Sequence, residues 1–120
     1  MVKKKILGRK PKDGQCLKAY IKAVASYLPK KIEMNAENRI TKKIGIHSRH
    51  VAKSEECASD LAFHAAEKIF SAYSVDRKSI DFVILCTQSP DFFLPTTACV
   101  LQNRLGLSTE CGAFDFNQGC

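Results

Sequence analysis

Long apolar runs are missing from this sequence. No stretch approaches the ~20 consecutive apolar residues that a bilayer-spanning helix needs, and the basic start from Met1 to Lys12 leads into no apolar signal core. A soluble, cytoplasmic protein is the expectation. Metal and disulfide signatures are missing too. Six cysteines are present, Cys16, Cys57, Cys86, Cys99, Cys111 and Cys120, but none forms a Cys-x-x-Cys pair. His47, His50 and His64 stand in no Cys/His cluster of metal-ligand spacing. Reduced thiols in a metal-free protein are therefore expected, with Cys57, Cys86 and Cys99 inert inside their elements. The basic residues are not interleaved with aromatics and build no nucleic-acid module, so nucleic acid is not an expected partner. There is no internal repeat or low-complexity tract. With 120 residues, 45% of them hydrophobic, the chain can bury one modest core and form one domain.

Acidic residues are scarce in the first half. Residues 1–53 carry fifteen Lys or Arg against three Asp or Glu, and residues 54–120 carry four against nine, within a net charge of +7. Such a split points the first half toward something anionic. Residues 1–16 read as a disordered basic tail, followed by one domain over residues 17–120. Lys42, Lys43 and Arg49 lie inside that domain and are the candidate anion-binding residues.

What is present is an alternation of strand-like and helix-like segments. Leu17–Ser26 alternates apolar and polar residues and predicts a first strand, closed at Leu28-Pro29. A basic, irregular connection runs to Lys53, with a short strand over His47–Ala52. Ser54 offers an N-cap, Glu55 and Glu56 suit the positive end of a helix dipole, and Leu61, Ala65, Ile69 and Ala72 mark one face of a helix ending near Tyr73. Ile80–Cys86 contains the continuous apolar run Phe82-Val83-Ile84-Leu85, suited to a central parallel strand covered on both faces. Pro95 fits the first turn of a second helix, with Cys99, Leu101 and Leu105 as its apolar positions and Gly106 as its left-handed stop. Gly112–Phe116 is the last strand. The fold class is α/β, with a three-stranded parallel layer.

The chain closes on Ala113-Phe114-Asp115-Phe116-Asn117-Gln118-Gly119-Cys120, an alternating strand running into a small-residue turn that delivers a thiol. Open α/β sheets gather reactive groups at the carboxyl ends of their strands, beside helix N-termini with unpaired N–H groups. Cys120 is accordingly the candidate nucleophile, set against the alternative that it is a small core hydrophobe. A helix N-terminus can lower a cysteine pKa from ~8.5 to roughly 3.5–7.5. Amides at the same turn can hold an oxyanion, and Gly119 permits the close approach.

From Ala19 to Cys120 the sequence resembles the N-terminal half of a β-ketoacyl-acyl carrier protein synthase III, a condensing enzyme of the thiolase superfamily. The motifs are Ala25-Ser26-Tyr27-Leu28-Pro29, Ile44-Gly45-Ile46 with Arg49-His50-Val51-Ala52, Leu94-Pro95-Thr96-Thr97-Ala98-Cys99 with Leu105-Gly106, and Phe114 to Cys120. Each is weak alone; their order and spacing together are specific. The resemblance implies a thiolase-like fold, here an incomplete N-terminal half with a mostly parallel sheet and flanking helices. Its strands would be ordered third, second, first. The edge segment 113–116 would then pair with a second copy in a homodimer. It also implies that Cys120 carries an acyl group as a thioester and joins it to decarboxylated malonyl-acyl carrier protein in a Claisen condensation. Acyl-coenzyme A and acyl carrier protein would be the substrates, with no covalently bound cofactor. Lys42, Lys43 and Arg49 would meet the donor's phosphates or the carrier's acidic face, and Phe93 and Leu94 would line the acyl pocket or the dimer contact. The family's His and Asn have no counterpart before Cys120, so the 120 residues alone are expected to be inactive. Two features depart from the pattern. The connection between Asn35-Ala36-Glu37 and Ile44-Gly45-Ile46 is short and lacks an aromatic clamp, and Lys43 stands where an arginine is common, giving a point charge in place of a planar fork. A specialised acyltransferase fits these departures. The alternative is a non-catalytic thiolase-like protein, or a basic module that docks an anionic partner.

Overall fold

A computed structural model of the chain describes residues 19–118. Strand β1 (Lys31–Met34) pairs antiparallel with β2 (Ser48–Val51), Lys31 opposite Val51 and Met34 opposite Ser48. Helix α2 (Ala58–Tyr73), a 3-10 turn at Arg77–Ser79, β3 (Phe82–Cys86), α3 (Thr97–Arg104) and β4 (Gly112–Phe116) follow. β3 and β4 run parallel, with Phe82 opposite Gly112 and Cys86 opposite Phe116. The second half thus has the expected strand–helix–strand order. The short strand foreseen around His47–Ala52 is β2.

The basic connection is not wholly irregular. It holds α1 (Arg39–Ile44), whose ends are both closed by local chemistry. Asn38 Oδ1 accepts from the amides of Ile40 and Thr41, while Thr41 Oγ1 accepts from the Asn38 amide. This reciprocal cap satisfies amides that a helix start leaves orphaned. Gly45, at φ +72°, ends the helix in a left-handed conformation that suits a residue without Cβ.

The strand expected over Leu17–Ser26 is absent from its described part, residues 19–26. Alternation prepares a segment for a sheet, but a strand forms only where a neighbour takes its amides, and among the described residues none pairs with this segment. Ile21 and Val24 remain 83% and 73% exposed. The segment is tethered further on: Lys68 Nζ donates to the Ser26 carbonyl at 2.7 Å, the Tyr27 ring lies 4.6 Å from the His64 ring, and His50 Nδ1 meets the Pro29 carbonyl at 2.6 Å. The three-stranded layer is therefore two-stranded among the described residues.

α2 starts later than Ser54 suggests. Cys57 is its N-cap, and Asp60 reaches back to the Cys57 amide at 2.8 Å. Ser54 instead donates to the Glu55 carboxylate. The core joins Leu101, Leu105, Leu107 and Cys111 to Ala62, Phe63, Ala66, Phe70, Ile80 and Val83. α2 therefore turns Ala62, Phe63, Ala66 and Phe70 to the core, rotated from the expected stripe of Leu61, Ala65, Ile69 and Ala72. The helices cover one face of β3–β4. On the other, Phe82, Ile84, Phe114 and Phe116 are exposed, so the double cover expected for β3 is not found among the described residues. Phe82 and Phe114 meet there edge to face at 5.3 Å.

α3 begins after a cis Leu94–Pro95 peptide, with Thr96 as N-cap, so Pro95 stands just outside the first turn. Gly106, at φ +63°, supplies the expected left-handed stop. No helix among the described residues is long and apolar enough to cross a membrane.

Candidate active site

The carboxyl end of β4 is held from two directions. Its backbone completes the ladder with β3, extended by the Thr87 amide donating to the Phe116 carbonyl at 3.0 Å. Its one acidic side chain turns inward to α3. Asp115 Oδ2 accepts from the Thr97 amide at 2.7 Å, and Oδ1 accepts from the Ala98 amide at 2.6 Å. Thr97 and Ala98 are fully buried, so these amides have no access to water. Thr96 makes no side-chain cap bond; its hydroxyl donates to Cys99 Sγ at 3.1 Å. A carboxylate from the neighbouring strand therefore caps the positive end of α3.

The same polar chain continues into α2. The Asp91 amide donates to Thr97 Oγ1 at 3.1 Å, closing the base of the 92–96 loop, and the Ser59 amide donates to Asp91 Oδ1 at 3.1 Å. Ser59 is 2% exposed, and its hydroxyl accepts from Arg104 Nη1 at 2.7 Å. Arg104 also pairs with Asp60 at 2.8 Å and lies over the Phe63 ring at 4.9 Å. The Asp60 carboxyl is held below the usual carboxylate range, chiefly by the Cys57 amide and then by Arg104. Two helix N-termini, one loop base and the end of β4 thus share one hydrogen-bonded chain.

Cys120 lies outside the described residues, as do Cys16, the 1–16 tail and Gly119. β4 ends four residues before Cys120, and Asn117 is exposed immediately after it. Phe93 and Leu94 project from the loop between Asp91 and Thr97, 101% and 83% exposed. The candidate anion-binding residues lie on α1 and on strand β2. Lys42 and Lys43 occupy the last turn of α1, exposed, with Lys42 3.6 Å from Glu37. Arg49 is on β2, with its guanidinium engaged by Glu33 at 2.6 Å and by Asn35. That fork already has partners within the chain.

The other thiols divide by surroundings. Cys57 and Cys86 are exposed rather than packed among apolar neighbours, Cys99 is half-buried and Cys111 is buried. Burial, with the Asp81 charge, pushes the Cys111 thiol up from its ordinary value. No group of three His, Cys, Asp or Glu among the described residues could hold a metal ion. A shallow hollow lined by Lys53, Glu55, Glu56, Asp60 and His64 sits at the start of α2. Its lining contains no thiol. Sequence reasoning missed Asp115, Thr97 and Asp91. The available signal was an aspartate on the inward register of an otherwise apolar strand, in line with Ala113 and opposite Leu85.

No protein-family model matches the chain. A Campylobacter jejuni protein provisionally named 3-oxoacyl-(acyl-carrier-protein) synthase 3 is 44% identical over 82 residues, 68% of this chain and 23% of its own length. A crystal structure of a 3-oxoacyl-(acyl-carrier-protein) synthase III superposes with a TM-score of 0.74 at 44% identity, covering 82% of this chain and 32% of that one. A tetronic acid condensing enzyme superposes with a TM-score of 0.67 at 33% identity, over 82% of this chain and 32% of its own. The chain thus spans less than a third of the length of each.

Proposed function

We propose, from the chain's membership of the 3-oxoacyl-(acyl-carrier-protein) synthase III family, whose thiolase-like α/β fold it shares over part of its length, that the whole protein is a condensing acyltransferase. Cys120 is its nucleophile. The Cys120 thiolate attacks the thioester carbonyl of an acyl donor, the tetrahedral oxyanion collapses, and the donor's thiolate leaves. Malonyl-acyl carrier protein then loses carbon dioxide, and the resulting carbanion attacks the Cys120 thioester. A new carbon–carbon bond forms, β-ketoacyl-carrier is released and the Cys120 thiolate is regenerated.

The observation that carries this reading is the end of β4. A strand pinned by its ladder and by Asp115 runs into Asn117-Gln118-Gly119-Cys120, at the strand end where α/β folds place reactive groups. Acyl-coenzyme A is the proposed donor and acyl carrier protein the proposed partner, in a cytoplasmic homodimer paired through residues 113–116. Lys42 and Lys43 draw in the anionic donor. Arg49 serves mainly to hold β1 to β2, since Glu33 and Asn35 occupy its fork. Phe93 and Leu94 reach into the partner's acyl pocket. Because one similar fold is a tetronic acid condensing enzyme, the product class follows from the acyl pocket and not from the fold.

The test is product formation by the full-length protein. Incubation with a series of acyl-coenzyme A donors and malonyl-acyl carrier protein should yield β-ketoacyl-carrier by mass spectrometry, with no product from Cys120→Ser. Consumption of neither substrate across the series would remove the condensing role.

A further inference from the structure

We propose that Asn35 is a positioning residue: together with Arg49 it fixes the basic turn of α1 on the β1–β2 sheet, so that Lys42 and Lys43 grip a docked anionic donor as well as attract it. The proposal rests on the donor-binding reading of those lysines given above. A helix of six residues does not hold its own place. None of the α1 residues is buried, and Ile40 and Ile44, one turn apart, are both exposed, so no apolar contact among the described residues seats it. The Asn38–Thr41 cap and Gly45 close its ends but do not anchor it to the sheet. That is left to polar links at the base of the loop.

Asn35 is bonded on both sides there. Its amide donates to the His47 carbonyl at 2.9 Å and its Nδ2 to the Ile46 carbonyl at 3.1 Å, which ties the segment leaving α1 back to the end of β1. Its Oδ1 accepts from Arg49 Nη1, while Arg49 Nη2 donates to Glu33 at 2.6 Å. A carboxamide bonded through both its oxygen and its nitrogen has one orientation, and here the cross-strand pair Glu33–Arg49 sets it. On the entering side, Thr41 Oγ1 donates to the Ala36 carbonyl at 3.0 Å, and Lys42 lies 3.6 Å from Glu37. The segments into and out of α1 thus both close on residues 35 and 36. Lys43 stands just ahead of the Ile46 carbonyl that Asn35 holds, so the restraint falls close to the basic turn. Attraction before contact depends on net charge and is felt over about 8 Å, so it tolerates a shift in α1. A docked ion pair does not, since its partners must come within about 4 Å.

Two charge-conserving substitutions in the full-length protein separate grip from attraction. Asn35→Ala removes the clamp, and Arg49→Lys keeps the cation but loses the fork that orients Asn35. Stopped-flow binding of butanoyl-coenzyme A gives association and dissociation rates, and amide exchange over residues 36–47 reads the hold on α1. In Asn35→Ala the association rate and its salt dependence should match wild type. Dissociation should quicken about threefold to fivefold, the size of one or two exposed ion pairs lost. Exchange over residues 36–47 should quicken too, with that of α2 unchanged. Arg49→Lys should show the same pattern in smaller degree, and the double variant should be no worse than Asn35→Ala, because both act through one link. Lys42→Ala/Lys43→Ala should instead slow association as well as hasten dissociation. A folded Asn35→Ala with the wild-type dissociation rate would overturn the proposal, as would slower association, because the site would then be lost rather than loosened. So would failure of both clamp variants to fold, since the role would then be folding alone. If the donor binds wild type and Lys42→Ala/Lys43→Ala alike, or binds neither, the donor-binding reading of the lysines fails, while amide exchange still decides whether Asn35 places α1.

Discussion

Removing the Arg104 side chain should uncouple α2 from α3. The guanidinium makes three contacts, a hydrogen bond to the Ser59 hydroxyl, an ion pair with Asp60 and a stack over Phe63. The side chains of the ion pair are about a third exposed, so solvent screens it to about 0.5–1 kcal/mol. The bond to Ser59 is worth more, about 1–2 kcal/mol, because it joins a charged donor to a buried acceptor. Stacking adds about 0.5–1 kcal/mol. Arg104→Ala should therefore cost about 2–4 kcal/mol, a fall in Tm of roughly 10–20 °C for a domain of this size. Arg104→Lys should recover less than half, since an ammonium cannot fork between Ser59 and Asp60 while lying flat on Phe63. Urea denaturation followed by circular dichroism reads the change, with m unaltered. The pH limb follows from Asp60, whose folded pKa is depressed. Its contribution is present above the unfolded value of about 3.9 and is lost as pH falls through the lower folded value. Stability below about pH 4 should thus fall more steeply in wild type than in Asp60→Asn. An Arg104→Ala cost under about 0.5 kcal/mol would refute the coupling, because it would equal that of an ordinary surface change.

Three further outcomes are expected. Cys111, buried with its thiol pushed up, should alkylate far more slowly with iodoacetamide in the native protein than exposed Cys86 or Cys57; equal rates by peptide mapping would contradict its place in the core. Association of the full-length protein with an acyl-coenzyme A donor should slow as salt rises, since exposed charges are screened over about 8 Å at physiological ionic strength. Lys42→Ala/Lys43→Ala should flatten that slope, and an unchanged on-rate would leave the two lysines as a solvated face. Residues 1–120 should sediment as a dimer or larger assembly, because β4 offers an edge unpaired among the described residues and flanked by exposed Phe114 and Phe116. Phe114→Lys should shift the chain toward monomer; a wild-type monomer at high concentration would remove the edge-pairing proposal.

The second half of the fold was legible because local signals and tertiary outcome agree there. Val83 and Leu85 reach the covered face of β3, Leu101 and Leu105 reach the core, and Gly106 ends α3 where a left-handed residue was expected. The first half was less legible. The alternation of Ala19, Ile21, Ala23 and Ala25 carries a pattern for a sheet surface but no information about a partner strand. α1 was hidden because its stability comes from the Asn38–Thr41 reciprocal cap rather than from an apolar stripe; none of its residues is buried. Phe82 and Ile84 read as covered because a continuous apolar run is the mark of a doubly covered strand, yet they lie on the open face. At the candidate site, the turn bearing Cys120 was visible as a motif. Its support was not, since Asp115 and Thr97 are separated by 18 positions and become partners only when β4 packs beside α3.

The central claim is that the thiol delivered by β4 carries the acyl group. Full-length protein loaded with a series of acyl-coenzyme A and acyl-carrier donors, then digested and mapped by mass spectrometry, tests it directly. A thioester on Cys120, lost on hydroxylamine treatment and absent from Cys120→Ser, is the expected result. Acylation retained in Cys120→Ser, or found on Cys57, Cys86 or Cys99, would contradict it.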